Sequence, residues 1–254
     1  MSALNLHVFG PENGRPVLAL HGVTGHALRF AVLAEQLPEL RLFSVDLRGH
    51  GRSPWTPPWG LEQHVADMLD VLDAQGLARV PVVGHSFGGA IAVHLARTAP
   101  ERVERLVLID PALGLDAQDM LETATAACAG ESYPDLAAAR VERAQRWEGV
   151  PDALVDAEIE HHLFEEDGRW RYRYATPAVV TAWGEMSRPA VTPPPDLPTL
   201  LLPAAKTDFV KQAWVQRMRT DLGERLVVQE MDTAHMVYLE QPVETAAAIR
   251  AFLV

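Results

Sequence analysis

Short apolar runs alternate with longer stretches of helical periodicity along much of the chain. Residues 4–9 predict an edge strand, and the nearly continuous apolar runs at 17–20, 42–45, 80–83 and 103–109 predict buried central strands. Two later runs, at 199–202 and 226–231, continue the pattern. Alternation of this kind is typical of βαβ units, so we expect an α/β fold with a mostly parallel, doubly wound sheet of about seven strands.

Residues 111–195 have a different character, because they are rich in alanine and acidic residues and lack a strand-like apolar run. Periodicity and breakers predict helices over 117–129, 135–147, 151–164 and 177–186. Four prolines between 191 and 198 then predict an extended return to the sheet. We therefore expect a core made of residues 1–110 and 196–254, with a helical lid inserted at 111–195.

Charge and composition exclude several classes of function. The 22 Lys and Arg against 34 Asp and Glu give a formal charge of −12, which argues against nucleic acid and anionic membranes as partners. No apolar run reaches the roughly 18 residues of a membrane span, and the first residues lack the pattern of a signal peptide. A cytoplasmic location is the expectation. The single cysteine, Cys128, excludes an intramolecular disulfide and a four-cysteine zinc site.

The strongest chemical motif is Gly84-His85-Ser86-Phe87-Gly88, which lies where a predicted strand turns into a predicted helix. That context is the one required of a nucleophile elbow, where a serine sits on a sharp turn and flanking glycines allow close backbone contact. Ser86 is therefore the candidate nucleophile. The alternative interpretation of the motif is a strand-to-helix turn that binds a phosphate at the helix N-terminus.

A second loop, His21-Gly22-Val23-Thr24-Gly25, follows the first central strand and ends at the same edge of the sheet. Acyl transfer needs two N–H groups to stabilise the oxyanion, and the backbone N–H groups of Val23 and Phe87 are the candidates. His21 itself is interpreted as a structural residue that braces this loop.

A serine nucleophile requires a base and an orienting carboxylate. His235 lies after the last strand and before the final helix, and it follows the serine in chain order, so it is the candidate base. Asp208 and Asp110 both follow strands at the functional edge, and geometry alone permits either. We favour Asp208, because Asp110 is followed directly by Pro111 and is interpreted as a turn residue that begins the lid.

Taken in chain order, these motifs resemble the α/β-hydrolase superfamily over the whole chain except the lid. The family's D-x-R-G-x-G-x-S loop is matched by residues 46–53, for which we expect a structural role. Only one strand fits before residue 17, so we expect about seven strands where the family usually has eight. The matching features are the His21-Gly22 loop, the 46–53 loop, the elbow at Ser86, Asp208 and His235.

The resemblance implies a serine esterase of small to medium carboxylic esters, with no cofactor and no metal ion. Haloalkane dehalogenases and epoxide hydrolases of this fold use aspartate where this chain has Ser86, so the resemblance excludes both of these activities. A carbon-carbon hydrolase of vinylogous diketones and a lactonase remain alternatives on the same triad. A ligand-binding protein that retains a hydrolase scaffold without turnover is the alternative from another class. The sequence gives no indication of the oligomeric state.

Overall fold

A seven-stranded sheet forms the centre of the computed structural model, which describes residues 3–254. The strands of the structure are β1 (Leu6–Phe9), β2 (Arg15–Leu20), β3 (Leu40–Val45), β4 (Val80–His85), β5 (Val103–Ile109), β6 (Leu163–Glu166), β7 (Arg169–Tyr172), β8 (Thr199–Leu202) and β9 (Leu226–Val228). The strand order in the central sheet is β1-β3-β2-β4-β5-β8-β9, and only the β1–β3 pairing in it is antiparallel. The expectation of a mostly parallel sheet of about seven strands is confirmed.

Helices cover both faces of the sheet, which explains why the central strands are apolar on both sides. The helices are α1 (Ala31–Gln36), α2 (Leu61–Ala74), α3 (Phe87–Thr98), α4 (Ala117–Ala127), α5 (Leu136–Arg146), α6 (Asp152–His162), α7 (Thr176–Met186), α8 (Gln212–Leu222), α9 (Val237–Glu240) and α10 (Pro242–Leu253). Leu18 and Leu20 of β2 belong to a core cluster that includes residues of α2, α3 and α8, whereas Val17 and Ala19 belong to a second cluster with residues of α1, α9 and α10.

Residues 111–195, called the 111–195 segment below, contain the four expected helices α4 to α7 and one element that was not expected. The strands β6 and β7 form an antiparallel hairpin, so the prediction that this segment is helical throughout is wrong. Asp167 and Gly168 connect the two strands with φ angles of 52° and 73°. Positive φ at both central residues is typical of a two-residue hairpin turn, for which an Asp-Gly pair is a favoured sequence.

The 111–195 segment packs on loops at the carboxyl edge of the sheet. Gly51 N donates to Arg173 O at 2.7 Å, and Ala175 N donates to Gly49 O at 2.7 Å. These bonds tie the end of the hairpin to the loop that follows β3. Within residues 3–254, no helix has the length and apolar character needed to cross a membrane.

Candidate active site

Ser86 lies between β4 and α3 in a strained backbone conformation, with φ 54° and ψ −121°. The two glycines of the motif permit that turn. A Cβ on Gly84 would stand 2.4 Å from Gly88 O, and one on Gly88 would stand 2.2 Å from Leu20 O. The structure therefore places Ser86 in the strand–turn–helix context of a nucleophile elbow, with its backbone N–H donating to Ile109 O at 3.1 Å.

His235 faces Asp110, not Asp208. The His235 Nδ1 to Asp110 Oδ2 distance is 2.6 Å, and Asp110 is fully buried at the end of β5. Two further donors reach the same carboxylate: Ala204 N contacts Oδ1 at 3.1 Å and Thr207 Oγ1 contacts Oδ2 at 3.0 Å. The buried carboxylate of Asp110 is therefore held by three hydrogen bonds, one of them from His235.

The choice of Asp208 as the orienting acid is corrected by this geometry. The side chain of Asp208 is 88% exposed, and its carboxylate forms an ion pair with Lys211 of the next turn. In the loop that follows β8, called the β8 loop below, the Thr207 side chain points toward Asp110 and the Asp208 side chain points toward solvent. Only the threonine therefore contacts the carboxylate of Asp110. Asp110 does begin the connection to the 111–195 segment, with φ 37°, but that turn geometry is the one that brings its carboxylate to His235.

Two aromatic side chains fix the position of His235. The Phe209 ring stacks on the imidazole with centroids 4.3 Å apart, and the His85 ring lies at 4.7 Å on another side. His85 Nε2 also donates to His235 O at 2.9 Å. Burial holds the pKa of His85 well below its usual value, so its ring is neutral and retains this single tautomer.

No hydrogen bond joins Ser86 Oγ to His235 within the described residues. Both side chains lie on loops at the same edge, because Ser86 follows β4 while Asp110, the partner of His235, follows the neighbouring strand β5. Catalytic hydrogen bonds of this kind are often long in ligand-free structures and shorten when substrate binds.

The loop that follows β2 lies directly against the elbow. A Cβ on Gly22 would stand 2.8 Å from Ser86 Cβ, so only glycine allows this approach. Gly22 O accepts hydrogen bonds from Gly25 N at 3.0 Å and from His21 Nδ1 at 2.8 Å. Because a trans peptide holds its C=O and N–H on opposite sides, these bonds direct the Val23 N–H away from His21.

The N–H groups of Val23 and Phe87 have no acceptor among residues 3–254, which is the condition an oxyanion hole requires.

The bracing role expected for His21 is confirmed. Its Nε2 accepts a hydrogen bond from Leu47 N at 2.9 Å, so the ring proton must be on Nδ1, where it is donated to Gly22 O. Burial holds the pKa of His21 well below its usual value and keeps the ring in this neutral form.

The structural role expected for the 46–53 loop is also confirmed. Asp46 accepts hydrogen bonds from Ala27 N at 2.7 Å and Arg52 N at 2.9 Å, and Arg48 forms a buried two-point ion pair with Asp67. None of these contacts involves Ser86 or His235.

Thr207 and His85 are site residues that the sequence did not identify. His85 is inside the elbow motif and Thr207 precedes the favoured Asp208, so both were adjacent to candidates. A half-buried hydroxyl that donates to a buried carboxylate has no pattern of its own in a single sequence.

Comparison with known proteins agrees with the α/β fold and with a hydrolase. Residues 17–248 match the model of the alpha/beta hydrolase family, and the chain belongs to that family. It is 40% identical to lipase LipV of Mycobacterium tuberculosis over 256 residues, covering 98% of both chains. It is 26% identical to esterase YbfF of Escherichia coli, covering 95% of this chain and 94% of that one.

A solved structure of E-2-(acetamidomethylene)succinate hydrolase superimposes with a TM-score of 0.85 at 22% identity, covering 98% and 94% of the two chains. At that identity the likeness concerns the fold alone. The family and its lipase- and esterase-named relatives identify this chain as a hydrolase of ester bonds at the level of the family.

Proposed function

We propose that this protein is a serine hydrolase that cleaves small to medium carboxylic esters through an acyl-enzyme. The observation that carries the proposal is the 2.6 Å contact between His235 and buried Asp110 beside the strained elbow of Ser86. A neutral imidazole whose Nδ1–H is held by a carboxylate presents its Nε2 lone pair as a base.

In the proposed mechanism, His235 takes the hydroxyl proton of Ser86 as Ser86 Oγ attacks the ester carbonyl. The carbonyl oxygen becomes an oxyanion, which the Val23 and Phe87 N–H groups stabilise, and His235 returns the proton to the leaving alcohol. Water activated by His235 then hydrolyses the acyl-enzyme. Every step uses groups that belong to the chain or to water.

The 111–195 segment is proposed to act as a lid that shapes the substrate site. A cavity of about 400 Å³ is lined by Thr24, which follows Val23 in the chain, and otherwise by residues of this segment. Among these are Ala126 and Ala127 of α4 and Val179 and Trp183 of α7. The one cation in its wall, Arg146, is paired with Glu131 and Glu142. Such a wall suits an uncharged acyl group better than one that carries a carboxylate.

The test is steady-state hydrolysis of p-nitrophenyl esters from acetate to palmitate by the wild type and by Ser86→Ala. We expect turnover of short and medium chains that is lost in Ser86→Ala, with a decline toward palmitate that measures the acyl site. Absence of turnover in the wild type would overturn the proposal and direct attention to vinylogous diketones, lactones and ligand binding without turnover.

A further inference from the structure

A buried ionic cluster joins the 111–195 segment to the core. Glu158 of α6 is 2% exposed and accepts hydrogen bonds from Arg29 Nε at 2.9 Å, Arg29 Nη2 at 2.5 Å and His26 Nε2 at 2.9 Å. Burial would raise the pKa of Glu158, but Arg29 and His26 outweigh it and hold that pKa well below its usual value. The cluster is therefore a charged contact in a place from which water is excluded.

Two members of this region converge on one backbone carbonyl. Arg29 Nη2, which is held by Glu158, also donates to Thr24 O at 3.0 Å, and His162 Nε2 donates to the same oxygen at 3.1 Å. The His162 ring stacks on His26 at 4.5 Å, and the Arg29 guanidinium lies 5.0 Å over the ring of Trp147. Packing on both sides thus fixes where the two donors point.

Thr24 has a conformation that needs such support. Its φ of 59° is uncommon for a residue with a branched Cβ, so the backbone is strained here unless its surroundings hold it. Thr24 and Val23 are the central residues of the turn closed by Gly25 N and Gly22 O. The Thr24 carbonyl shares a peptide plane with the Gly25 N–H, and the Val23 N–H shares one with the Gly22 carbonyl. Because Gly25 N donates to Gly22 O at 3.0 Å, the orientations of the Thr24 carbonyl and the Val23 N–H are linked.

We propose that His162 and Glu158 of the 111–195 segment, acting with Arg29, are positioning residues that hold the Val23–Thr24 turn in the conformation needed to bind the oxyanion. This inference rests on the proposed serine hydrolase function and assigns that segment a second role besides covering the site. The Val23–Thr24 turn is held in this conformation only while α6 is docked. His162 belongs to α6, and Arg29 is held by Glu158 of α6.

Three variants and one control test the proposal. His162→Met removes a donor to Thr24, His162→Gln keeps an N–H at the end of the side chain, and Glu158→Gln removes the charge that holds Arg29. The control is Tyr172→Phe, which removes the buried hydrogen bond from Arg143 Nε at 2.9 Å inside the 111–195 segment. It keeps the aromatic ring, whose centroid lies 5.6 Å from that of His162, so the packing around His162 is retained. Each is measured for kcat, KM, Tm and inhibition by a trifluoromethyl ketone and by the product alcohol, which carries no acyl oxygen.

Loss of one oxyanion donor costs about 100-fold or more in kcat, so a displaced donor should cost about tenfold. We expect His162→Met and Glu158→Gln to lose about tenfold in kcat with KM within about twofold, and to lose affinity for the trifluoromethyl ketone but not for the product alcohol. His162→Gln should stay within about threefold of the wild type, and Tyr172→Phe should lower Tm while kcat is retained.

A wild type without ester turnover would overturn the proposed function and this inference together. With an active wild type, kcat unchanged in His162→Met would overturn the inference alone. An equal loss of kcat in Tyr172→Phe, or equal weakening of both inhibitors, would do so as well, because it would show a general effect of a loosened segment.

Discussion

Replacing Asp110 by asparagine exchanges one carboxylate oxygen for an amide nitrogen at a site where all three neighbours are donors. Ala204 N donates to Oδ1, while Thr207 Oγ1 and His235 Nδ1 contact Oδ2. The backbone N–H of Ala204 cannot reverse its role, so the amide oxygen of the variant must face it. The NH₂ group is then left facing His235.

An NH₂ donor beside Nδ1 requires a lone pair on that nitrogen, so the imidazole proton moves to Nε2. In that tautomer His235 cannot accept the proton of Ser86. Loss of the correct tautomer in a Ser-His-Asp triad costs about 10⁴ in kcat, which is about 5.5 kcal/mol at about 1.4 kcal/mol per factor of ten. Asp208→Asn is the matched control, because it changes only an exposed carboxylate that pairs with Lys211. Exposed pairs of this kind contribute little.

The assay is steady-state hydrolysis of p-nitrophenyl butyrate by the wild type, Asp110→Asn and Asp208→Asn, with near-ultraviolet circular dichroism to verify folding. We expect kcat to fall about 10⁴-fold for Asp110→Asn and to change less than about twofold for Asp208→Asn. The opposite order, with a folded Asp110→Asn that keeps its activity, would refute the assignment of Asp110.

Three further outcomes are expected from the structure. Thr207→Val removes a hydroxyl donor of the triad carboxylate and should lower kcat about fivefold on p-nitrophenyl butyrate, the equivalent of about 1 kcal/mol; an unchanged kcat would contradict it. Gly51→Ala should lower the free energy of unfolding in urea by more than about 2 kcal/mol, since φ is 53° and the new Cβ would stand 2.2 Å from Asp46 Cγ. Gly76→Ala has φ 66° with nothing within 4 Å, so the loss there should be about 1 kcal/mol, and equal losses would contradict the clash. Burial lowers the pKa of His64 from 6.5 to about 3, so unfolding takes up a proton between these values and the protein becomes less stable as the pH is lowered through them. Between pH 7 and pH 4.5 His64 accounts for about 2.5 kcal/mol of lost stability, and urea titrations of His64→Gln at these two pH values should show a correspondingly smaller difference.

The sheet and the elbow could be predicted because each depends on a local pattern. Strands buried on both faces must be apolar almost throughout, and β2, β4 and β5 have that composition. The close approach of Gly84 to Gly88 and of Gly88 to Leu20 O admits no side chain, so the glycines of the motif follow directly from packing. The same is true of Gly22 against Ser86.

The orienting acid could not be predicted, because both candidates satisfied the same rule. Asp110 and Asp208 each follow a strand whose carboxyl end lies at the functional edge. What separates them is the direction of a side chain, and Asp110 with φ 37° has a conformation that a preference for turn residues does not specify.

The β6–β7 hairpin could not be predicted for a different reason. Its strands are short and polar, so no apolar run marks them, and the Asp167–Gly168 pair is the only feature typical of a hairpin turn between them.

The position of Asp110 between β4 and β8 explains why the loop after β8 contributes donors to the Asp110 carboxylate. In the sheet order β4-β5-β8, the strand that bears Asp110 lies between the strand that leads to Ser86 and the strand that leads to Thr207. A fully buried carboxylate in the middle must be satisfied from both sides, by His235 and by the β8 loop. If Asp208 were the acid, the carboxylate of Asp110 would remain buried beside it, and two like charges would share one site. The inward direction of Thr207 and the outward direction of Asp208 are thus consequences of one buried charge at the end of β5.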